Sequence, residues 1–173
     1  SETAVNNQIV AICDVDEVLL AQAAEKYPRA KRYTDWRKML EQSDIDAVTV
    51  STPDHTHAPA TMSALSAGKH VYTQKPLTHS VWEARQLTLA AAKHQAITQM
   101  GIQHHSGKYF KTAVQLIQSN AIGRISDVHV WTDRPVGFWT QNKERGATME
   151  VPASLHWDNW IGVAPERPYA HGY

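Results

Sequence analysis

Gln74-Lys75-Pro76 follows the apolar run His70-Val71-Tyr72-Thr73. A lysine at the carboxyl end of a strand points into the crevice where open α/β sheets bind their ligands. Partly desolvated there, its ammonium could have a lowered pKa and take part in proton transfer. In a solvated turn the same lysine does no chemistry, and spacing alone leaves both readings open. Asp14 ends an earlier apolar run. An acid in that place accepts hydrogen bonds from an adenosine ribose, which favours NAD over a 2′-phosphorylated cofactor; it also suits the start of a helix beside Asp16. In Ser51-Thr52-Pro53-Asp54-His55-Thr56-His57, small hydroxyl residues and open backbone suit the close approach of a flat cofactor. His55 and His57 would face one side of a strand, but Pro53 has already ended it. Neither HExxH nor HxHxDH occurs, so capping or packing outweighs metal binding and no metal site is assigned. Gln103 offers an amide to a carboxamide, and His104 and His105 fit an exposed loop.

The elements that must position these residues alternate in period. Gln8–Asp14 reads as a buried strand, with Asp16 as the N-cap of a helix over Val18–Tyr27 that Pro28 ends. Thr34 is placed to cap a short helix, Asp35–Gln42. Ala47–Thr52 is the next strand. A helix carrying Pro59 in its first turn follows to about Ala67, with Gly68 just past its end. His70–Gln74 is a strand, Thr78 or Ser80 caps a helix to about His94, and Ala96–Ile102 is a strand. Ser106–Asn120 reads as a helix closed by Gly123, and Asp127–Asp133 as a strand. After Pro135 the pattern dissolves into a Trp-, Pro- and Gly-rich stretch. Strand–helix alternation implies right-handed crossovers and a parallel sheet.

Composition excludes several classes. Seventeen basic and seventeen acidic residues balance in 173, which gives no electrostatic reason to bind nucleic acid or an anionic membrane. No apolar run approaches the roughly 20 residues of a membrane span. The single cysteine, Cys13, forbids an internal disulfide and a Cys-based zinc site, and reads as a small buried hydrophobe. Trp131, Trp139, Trp157 and Trp160 are candidates for sugar stacking, though such residues more often anchor cores or interfaces.

In order along the chain, Cys13-Asp14-Val15-Asp16, Ser51 to His57, Ala67 to Leu77, Ala121 to Ile125 and Trp157 to Tyr169 resemble the Gfo/Idh/MocA family of nicotinamide-dependent oxidoreductases, in a sugar-acting branch. The resemblance implies an α/β chain: a Rossmann-type parallel sheet over 1–102, lacking its first strand, then over 103–173 the start of an α/β domain with an open antiparallel sheet. It implies NAD as cofactor, NADP less so, and hydride transfer with a sugar or polyol. Asp14 would bind the adenosine ribose. Ser51, Thr52, Pro53 and His57 would line the nicotinamide side, Gln74 would stand beside the catalytic Lys75, and Gln103 near the carboxamide. Gln74 replaces the family's usual Glu. The seven residues before Gln8 hold no glycine for a phosphate turn, and the family's later Asp/His pair would fall beyond Tyr173. The chain is therefore expected to be an incomplete version of a longer protein, a homo-oligomer when complete. Cytoplasmic placement is expected, or periplasmic if an upstream export signal has been removed. The resemblance also admits a glycosidase that oxidises its substrate transiently through NAD. Residue chemistry leaves two further readings, a non-catalytic binding or assembly piece and a metal-dependent hydrolase using His55, His57, His104 and His105.

Overall fold

A computed structural model describes residues 8–131 and 146–170. Its elements, in chain order, are β1 (Ala11–Cys13), α1 (Glu17–Lys26), β2 (Lys31–Tyr33), α2 (Trp36–Leu40), β3 (Ala47–Val50), α3 (His57–Ser66), β4 (His70–Gln74), α4 (Val81–Lys93), β5 (Thr98–Gly101), α5 (Lys108–Gln118) and α6 (Trp157–Ile161). Single 3₁₀ turns cover Asp54–Thr56 and Gln103–Ser106.

Local chemistry sets the helix ends. Asp16 caps α1 by accepting from Val18 N at 2.8 Å. Asp35, rather than the expected Thr34, caps α2 through Arg37 N at 2.9 Å; it lies one residue nearer the first free amides. Ser80 and Glu83 close a reciprocal capping box on α4, which satisfies two amides at once. Gly68 leaves α3 at φ +73°, a left-handed step that glycine takes without a Cβ clash.

The strands form two parallel ladders, β1–β2 and β3–β4–β5. Ala11 pairs with Lys31 and Cys13 with Tyr33 in one. In the other, Ala47–Val50 lies beside His70–Thr73, and Val71–Gln74 beside Thr98–Gly101. The doubly wound order 3-2-1-4-5-6 divides into such a pair and such a triplet when strand 1 is left out. This is the Rossmann-type arrangement expected without a first strand. Leu40, Val50, Ala64, Leu65, Val71 and Leu87 join in one buried cluster between β3–β4 and the helices. Ala64 and Leu65 are fully enclosed, so α3 is the helix around which the core packs.

Two elements were not foreseen and one expected strand does not form. β2 was not foreseen, because its three residues carry two exposed cations and no apolar run. α6 arises inside the Trp-rich stretch that shows no period. The strand over Asp127–Asp133 is not formed: Asp127–Trp131 takes no regular structure, and 132–133 lie outside the described residues. Val128, Val130 and Trp131 are exposed, and alternation without a neighbouring strand supplies no ladder. Among the described residues antiparallel pairing is limited to two isolated bridges, Asp16–Leu155 and Thr148–Ala170.

The described residues divide into two compact units. One runs to Gly101 and also takes in Met149–Tyr169; the other begins at Ile102. In the first, Glu17 N donates to Ser154 O and His156 N to Val15 O, both at 2.9 Å. No helix among the described residues is long and apolar enough to cross a membrane.

Candidate functional site

The carboxyl ends of β1, β3 and β4 carry the residues singled out by type. Asp14 follows β1 and is half-buried, and its Oδ1 accepts from Asp16 N at 2.9 Å. Among the described residues no hydrogen bond reaches its other carboxylate oxygen. Cys13 beside it is half-buried rather than enclosed. Burial, then the carboxylates of Asp35 and Asp14, push its thiol up to about 12.

After β3 the chain turns through exposed Ser51 and half-buried Thr52 and Pro53. Thr56 Oγ1 lies 2.8 Å from Thr52 Oγ1 and 2.9 Å from Pro53 O, and locks this turn onto the start of α3. His57 is 1% exposed. Its Nε2 is 2.8 Å from Thr52 O, and its Nδ1 lies against Pro76 O. His55 Nε2 is 2.9 Å from Trp160 O and 3.1 Å from Ile161 O. The two histidines thus spend ring nitrogens on separate carbonyls instead of converging. Among the described residues no group of three or more metal-ligating side chains assembles.

After β4, Gln74 is half-buried and Lys75 exposed. Gln74 Oε1 accepts from the Lys75 backbone N–H at 2.7 Å, so the side chain folds onto its own turn. It packs against Gly101, its partner across the β4–β5 ladder. Lys75 precedes Pro76 through a cis peptide, and its ammonium meets solvent. The desolvation expected of a strand-end lysine is not in place among the residues of this unit. Gln103 belongs to the second unit and is exposed in a 3₁₀ turn beside His104 and His105.

Sequence reading missed two features. The buried pair Thr61–Thr73, at 2.6 Å, ties α3 to β4. Its signals were the four-residue spacing of His57 and Thr61 on one helix face and the inward parity of Val71 and Thr73. The second is the return of Met149–Tyr169 to the strand ends. Asn159 Nδ2 donates to Thr34 O at 3.1 Å, just past β2, and a Cβ on Gly162 would meet Thr56 Cγ2 at 2.9 Å. Trp157 is buried, stacks on Trp160 at 4.8 Å, meets the edge of Tyr169 at 5.2 Å and donates to Arg167 O at 2.8 Å. It is an anchor of this unit. Trp131 is exposed, and Trp139 lies outside the described residues.

A family model described as an oxidoreductase family with an NAD-binding Rossmann fold matches residues 1–102. A levoglucosan dehydrogenase of Pseudarthrobacter phenanthrenivorans is 29% identical over 114 residues, which are 66% of this chain and 29% of that protein. A crystal structure of myo-inositol 2-dehydrogenase from Lactobacillus plantarum superposes with a TM-score of 0.63 at 26% identity, covering 67% of this chain and 34% of that one. The WlbA dehydrogenase of Chromobacterium violaceum, solved with NADH and UDP-GlcNAcA, gives a TM-score of 0.63 at 27% identity over 67% of this chain and 33% of its own. The chain spans about a third of the length of these relatives.

Proposed function

Because the chain belongs to the Gfo/Idh/MocA oxidoreductase family, with its NAD-binding Rossmann fold, we propose that it serves hydride transfer between nicotinamide and a carbinol carbon of a sugar or polyol, with Lys75 handling the proton. The observation that carries this reading is the juxtaposition of two turns at adjacent parallel strand ends. Thr52-Pro53 follows β3, Gln74-Lys75-Pro76 follows β4, and both are tied to His57.

The residues present fit part of the cofactor. Asp14 has one carboxylate oxygen engaged locally and a second suited to a ribose diol. Ser51, Thr52 and Pro53 offer small, partly open surface for the nicotinamide end. No Gly-rich turn follows a strand among the described residues, so these residues supply no cradle for the pyrophosphate. The nicotinamide itself accepts or donates the hydride. As the free amine Lys75 accepts the substrate hydroxyl proton and, as the ammonium, donates a hydrogen bond to that oxygen before giving the proton to solvent; in the reverse direction the ammonium returns it. Gln74 accepts from the Lys75 backbone, which leaves that ammonium free to face substrate. The names of the relatives, which include an inositol and a levoglucosan dehydrogenase, support a polyhydroxylated ring as substrate.

The test is NADH formation by the whole chain with a panel of inositols and anhydrosugars. Lys75→Met is expected to lower kcat by about 100-fold or more while NADH binding, read by fluorescence titration, is kept. Unchanged turnover in Lys75→Met removes the proposal. Consumption of a glycoside without net NADH favours the transient-oxidation glycosidase instead.

A further inference from the structure

The β3–β4 ladder ends at the pair Val50–Thr73. Thr52 and Pro76 lie beyond it, and no backbone hydrogen bond among the described residues joins 51–53 to 74–76. At that gap stands His57, the first residue of α3 and almost wholly enclosed. It touches Thr52 O through Nε2 and Pro76 O through Nδ1. Whichever tautomer the ring takes, at least one nitrogen donates. One helical turn on, Thr61 bonds Thr73, so α3 grips β4 by two side chains on one face. Thr61 holds the strand itself, and His57 holds the turn that leaves it.

We propose that His57 is a positioning residue. It fixes the turn after β4 to the turn after β3 and so sets where Lys75 stands relative to Thr52 and Pro53. This inference rests on the reading of Lys75 as the proton handler. At 1% exposure His57 has no surface to offer a cofactor; it acts through the two carbonyls it touches. A phenyl ring in its place fills the volume and donates to neither. A glutamine keeps an N–H₂ group able to reach one of them.

The experiment compares His57→Phe, His57→Gln and Lys75→Met in the whole chain, by backbone amide NMR, by kcat and KM for the polyol at saturating NAD, and by melting temperature. In His57→Phe the amides of Thr52 and Lys75 are expected to shift together while those of Ala64 and Leu65 in the core stay. kcat is expected to drop by as much as about 100-fold, the scale of a 1 Å misplacement, with little change in KM. His57→Gln is expected to recover much of that rate at the same melting temperature. Unmoved Thr52 and Lys75 amides in His57→Phe overturn the inference. So does a rate that falls only in step with melting temperature, with Gln no better than Phe. If His57→Phe does not fold, the same amide comparison in His57→Gln decides. Wild-type turnover in Lys75→Met defeats the lysine reading on its own, whatever His57 does.

Discussion

His55 Nε2 lies 2.9 Å from Trp160 O and 3.1 Å from Ile161 O, so one imidazole closes the end of α6 across more than 100 residues of chain. The rings of His55 and Trp160 also pack, 5.3 Å apart. Two more fasteners act nearby, His156 with Glu17 at 2.9 Å and Asn159 with Thr34 O at 3.1 Å. The first of these is exposed and contributes little. His55 is half-buried, and its removal takes one donor from the end of α6, where Ile161 O still accepts from Ala164 N at 3.0 Å. His55→Ala is expected to cost about 1–2 kcal/mol in urea unfolding. It should also speed amide exchange at Gly162 and Ala164 well before that in α3. Exchange unchanged at those two positions would show that the return of Met149–Tyr169 does not depend on His55 and is held by its other contacts, among them Glu17 N to Ser154 O and Asn159 Nδ2 to Thr34 O.

Gln74 and Gly101 make a second, tighter dependence. Gln74 Oε1 sits where a Cβ on residue 101 would go, and Tyr72 Oη lies 3.1 Å from that point. Gly101→Ala therefore displaces the Gln74 amide and breaks its bond to Lys75 N. The Gln74 amide ends a flexible side chain and can turn aside, so the expected cost is that of its hydrogen bond, about 1 kcal/mol, and Gln74→Ala should relieve most of it in the double variant. Additive losses in Gly101→Ala, Gln74→Ala and the pair would count against the contact.

The positions of Asp14, Thr52, Lys75 and Gly68 were legible because each is fixed locally: an apolar run fixes the strand, and Pro or Gly fixes its end. Ser80 was half legible, since Thr78 competes for the cap until the fold shows which hydroxyl faces the amides. What stayed hidden depends on distance in sequence. Nothing in His57 foretells that its ring lies between carbonyls 5 residues back and 19 residues ahead. β2 exists only because β1 lies beside it. α6 is too short for a period and is held by Trp157 and Ile161 in the first unit. The expected strand at Asp127–Asp133 makes the converse point: its alternation is real, and among the described residues no strand pairs with Asp127–Trp131.

Cys13 sits where its thiol resists ionisation. Burial first, then Asp35 and Asp14, raise its thiol from an ordinary 9.0 to about 12. The thiolate is the reactive form, so a disulfide reagent at pH 8 is expected to label folded chain slowly and urea-unfolded chain at once. The folded value lies above the unfolded one, so the unfolded chain gives up its proton first. The stability tied to the protonated thiol is whole below pH 9.0 and is lost as pH climbs towards about 12. Cys13→Ser should flatten that part of the alkaline limb in a stability–pH curve. An unchanged limb would assign the alkaline loss to other groups.

Lys69 gives the sharpest stability test, because a buried ammonium without an acid can go either way. It is 6% exposed, and its Nζ donates to Gln42 O at 3.1 Å and Ile45 O at 2.8 Å. Neither salt bridge among the described residues involves it. Taking the charge out of water costs energy. Against that stand two hydrogen bonds from a charged donor, to carbonyls in the loop that follows α2. Lys69→Met keeps the stem's packing and strands both oxygens in the interior. On the hydrogen-bond scale for charged groups this should destabilise by about 2–3 kcal/mol, with faster amide exchange over 42–47. Lys69→Arg is expected to recover part of the loss, since it keeps the charge but carries a broader, planar head. If Lys69→Met instead matches or exceeds the parent chain in urea unfolding, desolvation outweighs the two bonds, and the lysine serves the loop's shape at the expense of stability.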